Sequence, residues 1–304
     1  MKLSIVTINY NNAEGLHKTM ESVFAQACHD FEYIIVDGAS TDGSVDVIRA
    51  AALQAERLTF SWVSEKDSGI YNAMNKGIEI ASGLRVVNAL NRSERSEDKN
   101  KELPEYVLML NSGDYLVDER VIERIMPELD GTDIVQGNNI EERNGHICRN
   151  RGYGKSDIDM NDVLQGHFLH QASFCRRDLF DRYGYFDESY RIAGDTKFFM
   201  NCLGVHNATF MYVDIDVVNY DCNGISALQC SKWIMQGKTE YMRIVGELFS
   251  QRLVNYIEDS EKKINLYNNL HHHKWIWNLT MALAHLHNRI YGELRNDTKK
   301  EIVQ

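Results

Sequence analysis

Proline is almost absent: Pro104 and Pro127 are the two in 304 residues, and no Pro-, Gly- or Ser-rich stretch marks a linker. Cysteine is present but unorganised. Cys28, Cys148, Cys175, Cys202, Cys222 and Cys230 form no C-x-x-C pair and no framework spacing, which speaks against a cysteine metal site or a disulfide scaffold and for a reducing compartment. No apolar run reaches the roughly 18 uninterrupted residues of a membrane span. Positive charge is short: 33 Lys and Arg stand against 44 Asp and Glu, a formal net charge of -11, which argues against nucleic acid as a partner. The opening Met1-Lys2-Leu3-Ser4 enters a strand pattern without the charged and apolar regions of a signal peptide. Internal repeats are missing too. These absences predict a soluble cytoplasmic protein. With 43% hydrophobic residues the chain can bury one large domain, or one domain with an appendage.

What is there centres on Tyr106 to Leu116, Y-V-L-M-L-N-S-G-D-Y-L. A short unbroken apolar run closed by a small-residue turn reads as a buried parallel strand. Ligands of open α/β sheets bind outside the carboxyl ends of such strands. A carboxylate there, Asp114, is placed to hold a divalent cation against a diphosphate, or else to cap a following helix. Upstream, Leu3–Ile8, Phe31–Val36 and Leu58–Val63 read as strands. They alternate with helices over 13–27, through Val45, Ile48, Ala52 and Leu53, and over 70–81. This is the pattern of a parallel sheet with helices on both faces. Each strand ends in polar residues, so Asn9, Asp37, Asp67 and Asp114 should converge on one sheet edge.

Four segments carry a resemblance: Ser4-Ile5-Val6-Thr7-Ile8-Asn9-Tyr10-Asn11, Ile34 to Ser44 with Asp37-Gly38-Ala39-Ser40, Asp67-Ser68-Gly69-Ile70-Tyr71-Asn72-Ala73-Met74-Asn75-Lys76-Gly77, and Leu110-Asn111-Ser112-Gly113-Asp114. In this order the chain resembles the family 2 glycosyltransferases with the GT-A fold. The likeness is strong over 3–117, looser through His170-Gln171 and Gly194-Asp195 to about Ser226, and then fades. It implies an α/β nucleotide-diphospho-sugar transferase fold, a mostly parallel central sheet flanked by helices, with a helical C-terminal extension. The domains implied are a catalytic domain over 1–228, in a nucleotide-sugar half (1–117) and an acceptor half (118–228), and an extension over 229–304.

The resemblance also assigns roles. Asp37 matches the acid that reads the donor's base, beside Thr7, Asn9, Tyr10 and Ser40; read from its residue type alone, it is a turn residue bonding its own backbone. Asp67 matches an acid near the ribose or sugar. Lys76 matches a phosphate contact, or is a solvated helix residue. Ser112 and Gly113 belong to the diphosphate turn. Asp114 matches the last carboxylate of the D-x-D element and would hold Mn²⁺ or Mg²⁺. Asn111 stands where that element has its first Asp, a recurring N-x-G-D variant, and one carboxylate fewer should loosen the cation before nucleotide arrives.

In the second half a helix is expected over 119–129, a strand over 133–136 and a tight turn at Asn144-Gly145. His170, Gln171 and Gly194 match the acceptor side. Two histidines three apart, His167 and His170, lack a partner at matching spacing for a metal site. Asp195 matches the general base. Transfer with inversion needs a carboxylate to take the acceptor's proton, with the diphosphate stabilised on the opposite side. An acid opening a helix is also what the helix dipole favours. The mixed-charge insertion at about 88–105 reads as an exposed loop, with a lid as the other reading. Helices are expected over 233–257 and 264–294, with an apolar stripe of Trp275, Leu279, Ala282, Leu286 and Ile290. Residues 261–304 carry seven Lys and Arg against four Asp and Glu, a net +3. Peripheral contact with the inner face of a membrane, packing on the catalytic domain, and a homodimer are all open for this tail. His271-His272-His273 reads as a solvated helix entry.

The expected function is transfer of a sugar, with inversion, from a nucleotide-sugar to a hydroxyl of a glycan or lipid-linked saccharide, with UDP the donor nucleotide the resemblance favours. A GDP-sugar donor or a non-catalytic nucleotide- or sugar-binding subunit are the alternatives. A nucleotidyltransferase would show a Gly-rich basic loop after the first strand, and Ile8–Gly15 has none. A glycoside hydrolase would leave the nucleotide motifs without purpose.

Overall fold

Leu3–Asn9 (β1) and Phe31–Asp37 (β2) are buried at every position, so both sheet faces need a cover. On one face Leu3 and Ile5 join Tyr33 and Ile35 in a core with Leu16, Met20 and Val23 of Ala13–Phe24 (α1). Phe24, Tyr33 and Phe60 meet edge-on and tilted in that layer, with ring centres 5.7–5.8 Å apart. On the other face lies Ile70–Ala81 (α3), packed across β1 and β2; Ser44–Ala52 (α2) lies beside α1. The computed structural model describes residues 2–53, 58–85, 87–90, 103–143, 146–222 and 231–249.

The remaining strands are Thr59–Ser64 (β3), Asn88–Leu90 (β4), Tyr106–Met109 (β5), Tyr115–Leu116 (β6), Ile134–Arg143 (β7), His146–Asn150 (β8), Ser173–Arg176 (β9) and Phe210–Tyr220 (β10). They form one sheet in the order β4-β3-β2-β1-β5-β9-β7-β10-β6, with β8 paired to β7. The pairings give β3, β2, β1, β5, β7 and β10 one common direction, opposed by β4, β9, β8 and β6. The carboxyl ends of those six strands therefore lie along one edge. Register shifts in β10 between Tyr212 and Val218 kink the strand as it approaches that edge.

Helices Val121–Ile125 (α4), Met160–Gln165 (α5), Asp178–Tyr183 (α6), Gly194–Met200 (α7) and Ser231–Leu248 (α8) follow in the second half. The helix expected over 119–129 is shorter: α4 stops at Ile125 and tightens into a 3₁₀ turn at Met126–Glu128. Pro127, which has no N–H to donate to the helical ladder, sits in that turn. The hairpin expected at Asn144-Gly145 is present as β7 and β8; its two turn residues lie outside the described residues. Most of the charged insertion, the apolar stripe from Trp275 and His271–His273 also lie outside them.

Contacts divide the chain into a unit of 1–244 and a second of 245–304. The first runs past the expected boundary at 228 and takes in most of α8. No helix among the described residues is long and apolar enough to cross a membrane.

One close approach fixes the layers. A Cβ on Gly77 of α3 would lie 2.3 Å from Cγ1 of Val6, which is fully buried in β1. The β-branched Val6 is stiff at χ1 and enclosed, so it yields little. Gly77→Ala is therefore expected to destabilise the protein by about 1–3 kcal/mol through overpacking, despite alanine's better helix propensity. A denaturant midpoint equal to or above the parent's would contradict this contact.

Candidate active site

A cleft of about 950 Å³ opens at the common strand edge. Its lining comes from Ile8–Tyr10 at the end of β1, Gly38 and Ala39 after β2, Lys66–Gly69 after β3, the first turn of α3, and Asn111, Ser112 and Asp114 after β5. The far side is His170, Gln171, the loop Glu188–Ile192, Asp195, and Tyr220-Asp221 after β10.

Asp114 is delivered by a turn stitched to α1. Thr19 Oγ1 accepts the Gly113 N–H (3.0 Å) and donates to the Asp114 carbonyl (2.6 Å), while the N-cap Asn12 donates to the Ser112 carbonyl (3.2 Å). Gly113 has φ +105°, and a Cβ there would lie 2.9 Å from Asp221 Oδ2, so both conformation and space demand glycine. No helix follows for Asp114 to cap, since Tyr115-Leu116 is β6. Its carboxylate accepts the Asp221 N–H at 2.8 Å. Burial, with the Asp221 charge adding to it, pushes the Asp114 carboxyl up to about 7 against the opposing pull of that N–H and of His170.

Asp195 stands in the first turn of α7. His170 Nδ1 lies 2.8 Å from its Oδ2, and its Oδ1 accepts from the Thr196 N–H (2.8 Å) and the Tyr71 hydroxyl (3.1 Å). Burial alone would raise its pKa. The His170 hydrogen bond and charge, the Thr196 N–H and the Tyr71 hydroxyl outweigh burial and hold it below its ordinary value. Tyr71 is placed by its second contact, to the Ile192 carbonyl (2.6 Å), and a Cβ on Gly194 would strike its ring at 2.7 Å. His170 Nε2 lies 3.3 Å from Asn111 Nδ2, so one imidazole joins the Asp195 turn to the N-x-G-D turn.

The cleft brings together Asn9, Tyr10, Asp67, Ser112, Asp114, His170, Gln171 and Asp195. Other expected residues sit elsewhere. Asp37 is fully buried and outside the lining; its carboxylate accepts from Asn9 Nδ2 (2.8 Å), Ser40 Oγ (2.6 Å), Ser40 N (3.0 Å) and Ser64 Oγ (2.6 Å). The turn reading describes this geometry, and Ser40 is consumed in the same network. Thr7 is fully buried and accepts from the Tyr33 hydroxyl at 3.0 Å. Lys76 is turned away: its ammonium lies 2.7 Å from the Lys66 carbonyl and 2.8 Å from Glu65, tying down the loop whose Lys66 and Asp67 face the cleft. Gly113 and Gly194 act through their lack of a side chain. His167 packs edge-on to Tyr153 and is not part of the lining.

Three cleft residues escape the sequence reading. Asp221 follows an apolar strand end, the same signal that marks Asp114. Tyr71 lies inside a recognised motif without being singled out. Glu188, held by Asn72 (3.0 Å), Asn75 (3.0 Å) and Ser68 (3.3 Å), has no distinguishing spacing. Two oxygens of lining residues, Asn9 Oδ1 and Asn111 Oδ1, are buried without a hydrogen-bond partner, an arrangement that a bound ligand or ion would satisfy. Among the described residues no cluster of three or more His, Cys, Asp and Glu side chains is assembled. Asp221 and Asn111 carry further side-chain oxygens that line the cleft with Asp114.

Residues 4–89 match the model for glycosyl transferase family 2. A PGL/p-HBAD biosynthesis glycosyltransferase of Mycobacterium tuberculosis is 28% identical over 222 residues, 72% of this chain and 76% of the relative. An uncharacterized glycosyltransferase of the same species is 30% identical over 205 residues, 65% of this chain and 67% of the relative. Among solved structures, S. aureus TarS 1–349 in complex with UDP superposes with a TM-score of 0.56 at 17% identity over 81% of this chain, which spans 64% of that chain's length. The mannosyltransferase PcManGT from Pyrobaculum calidifontis, in complex with GDP-Man and Mn²⁺, gives 0.55 at 16% identity over 81% of this chain and 63% of its own. The fold is GT-A, and the chain belongs to glycosyl transferase family 2.

Proposed function

We propose that this protein transfers a sugar, with inversion, from a nucleotide-sugar to a hydroxyl of a glycan or lipid-linked saccharide. The observation that carries the reading is the presence in one cleft of two carboxylates from separate segments, Asp114 after β5 and Asp195 opening α7. Single displacement needs this division, with a base on the acceptor's side of the anomeric carbon and charge stabilisation on the leaving group's side.

A carboxylate offers about four acceptor positions. Three on Asp195 are taken by His170, Thr196 and Tyr71, which fixes its plane and leaves a place for the incoming hydroxyl's proton. As the acceptor oxygen bonds to the anomeric carbon, that proton passes to Asp195. The bond from carbon to the diphosphate oxygen breaks, and its electron pair leaves with the nucleoside diphosphate. His170 and Tyr71 keep the carboxylate ionised and oriented throughout.

The all-oxygen donor set fits a hard divalent cation that takes its other ligands from the diphosphate and water. Asp114, with Asp221 and the unpartnered Asn111 Oδ1, would hold Mn²⁺ or Mg²⁺. Such an ion supplies charge to the departing diphosphate. UDP is the preferred nucleotide and GDP the second reading; the two superposed structures hold UDP and GDP-Man.

Thermal stability with UDP and GDP, each with and without Mn²⁺, tests this. At a hundredfold excess over the dissociation constant, UDP with Mn²⁺ should add about 2.7 kcal/mol. A shift with GDP alone would change the donor and keep the enzyme. No shift with either nucleotide would overturn the proposal in favour of a non-catalytic role.

A further inference from the structure

We infer that Glu240 of α8 is a positioning residue for the base Asp195, so that this helix is part of the catalytic apparatus. The inference rests on the function proposed above. The base is carried by the turn Arg191-Ile192-Ala193 that opens α7, and the Glu240 carboxylate accepts all three of its N–H groups, at 3.1, 2.9 and 2.9 Å. Gln236, one turn earlier, donates to the same carboxylate at 2.9 Å. Burial would raise the Glu240 carboxyl's pKa; Gln236 and the three N–H groups outweigh it and keep the group anionic.

The hold extends along one face of the helix. Gln236, Glu240 and Arg243 are spaced to share that face, and Arg243 donates to Ser189 Oγ (2.9 Å) while lying over the Tyr190 ring, 4.3 Å from its centre. From the cleft side the turn is held by Tyr71, whose single hydroxyl proton is shared between the Ile192 carbonyl (2.6 Å) and Asp195 Oδ1 (3.1 Å). The turn is thus fixed between a phenol that touches the base and a carboxylate that does not. Releasing the outer contact lets Ile192 move, and with it Tyr71 and the Asp195 carboxylate. A charged acceptor taking three backbone donors is a strong anchor.

Glu240→Gln in the full-length protein tests this, with Gln236→Ala as the milder variant. Amide hydrogen exchange at 191–193 should quicken about 10–100-fold in Glu240→Gln, as expected for losing charge-assisted bonds, with β1 amides unchanged. Release of nucleoside diphosphate from UDP-GlcNAc and GDP-mannose, with Mn²⁺ and water as acceptor, should lose about tenfold or more in kcat while the donor KM stays within about twofold. Gln236→Ala should show the same pattern, reduced. Unchanged exchange at 191–193, or a loss carried by donor KM, would overturn the inference. A wild-type protein that releases neither nucleotide would instead undo the proposed function, with exchange still deciding the clamp.

Discussion

Asp195→Asn is expected to lower sugar transfer by about 10²–10⁴-fold, the usual contribution of a general base, with nucleotide binding nearly unchanged. The amide keeps the volume and can still accept from His170 Nδ1 or the Thr196 N–H, so the α7 turn should hold its shape. What it cannot do is take a proton. The parent carboxyl sits below its ordinary value, so the base itself should stay ionised until the pH drops beneath the usual carboxylate range. Measuring kcat and donor affinity side by side checks both halves. A folded variant that no longer binds nucleotide would place Asp195 on the donor and remove it as the base.

Asp114→Asn is expected to do two opposite things. It should abolish the Mn²⁺-dependent part of the stabilisation by UDP, because a neutral amide is a poor ligand for a hard cation. It should also stabilise the metal-free protein at pH 8. The parent group is 4% exposed, and burial lifts its carboxyl to about 7. An acid raised on folding favours the native state while protonated, and that contribution is lost as pH rises from about 4 through 7. Removing the buried charge should therefore recover up to about 4 kcal/mol at pH 8 and nothing below pH 4. Melting temperatures of both proteins in chelator from pH 5 to 8 provide the check. A variant less stable than the parent at pH 8 would show that the carboxylate has compensation beyond Asp221 and His170.

The first half of the fold was legible because its strands are buried on both faces. Such strands are rich in apolar residues, with the buried Ser4, Thr7 and Glu32 hydrogen-bonded inside, and α3 is expected at Ile70–Ala81, where it stands. The edge to which Asn9, Asp67 and Asp114 converge was legible for the same reason. The direction a strand-end side chain takes was not. Asp37 and Asp114 both follow apolar runs, yet one folds back onto Ser40 and Ser64 and the other meets Asp221. Lys76 shares a helix face with Asn72 and Ala73 of the cleft, and only its contacts with Glu65 and the Lys66 carbonyl reveal that its ammonium is drawn away. Glu240 had no signal at all, because a single acid in a polar helix looks solvated until the turn it holds is placed beside it.

The sealed network around Asp37 has a consequence for how the cleft meets its substrates. Asn9, Asp37 and Ser64 are terminal residues of three adjacent strands, and their hydrogen bonds run across the sheet as a seam. That rim is set when the protein folds, so a ligand resting on it meets a surface whose ordering entropy has already been spent. The facing rim, Glu188 to Ala193, is irregular chain hung from side chains of α3 and α8. Exchanging those side chains would reshape the acceptor's side while leaving the sheet untouched. One scaffold could thus keep its donor half constant while its acceptor half is varied.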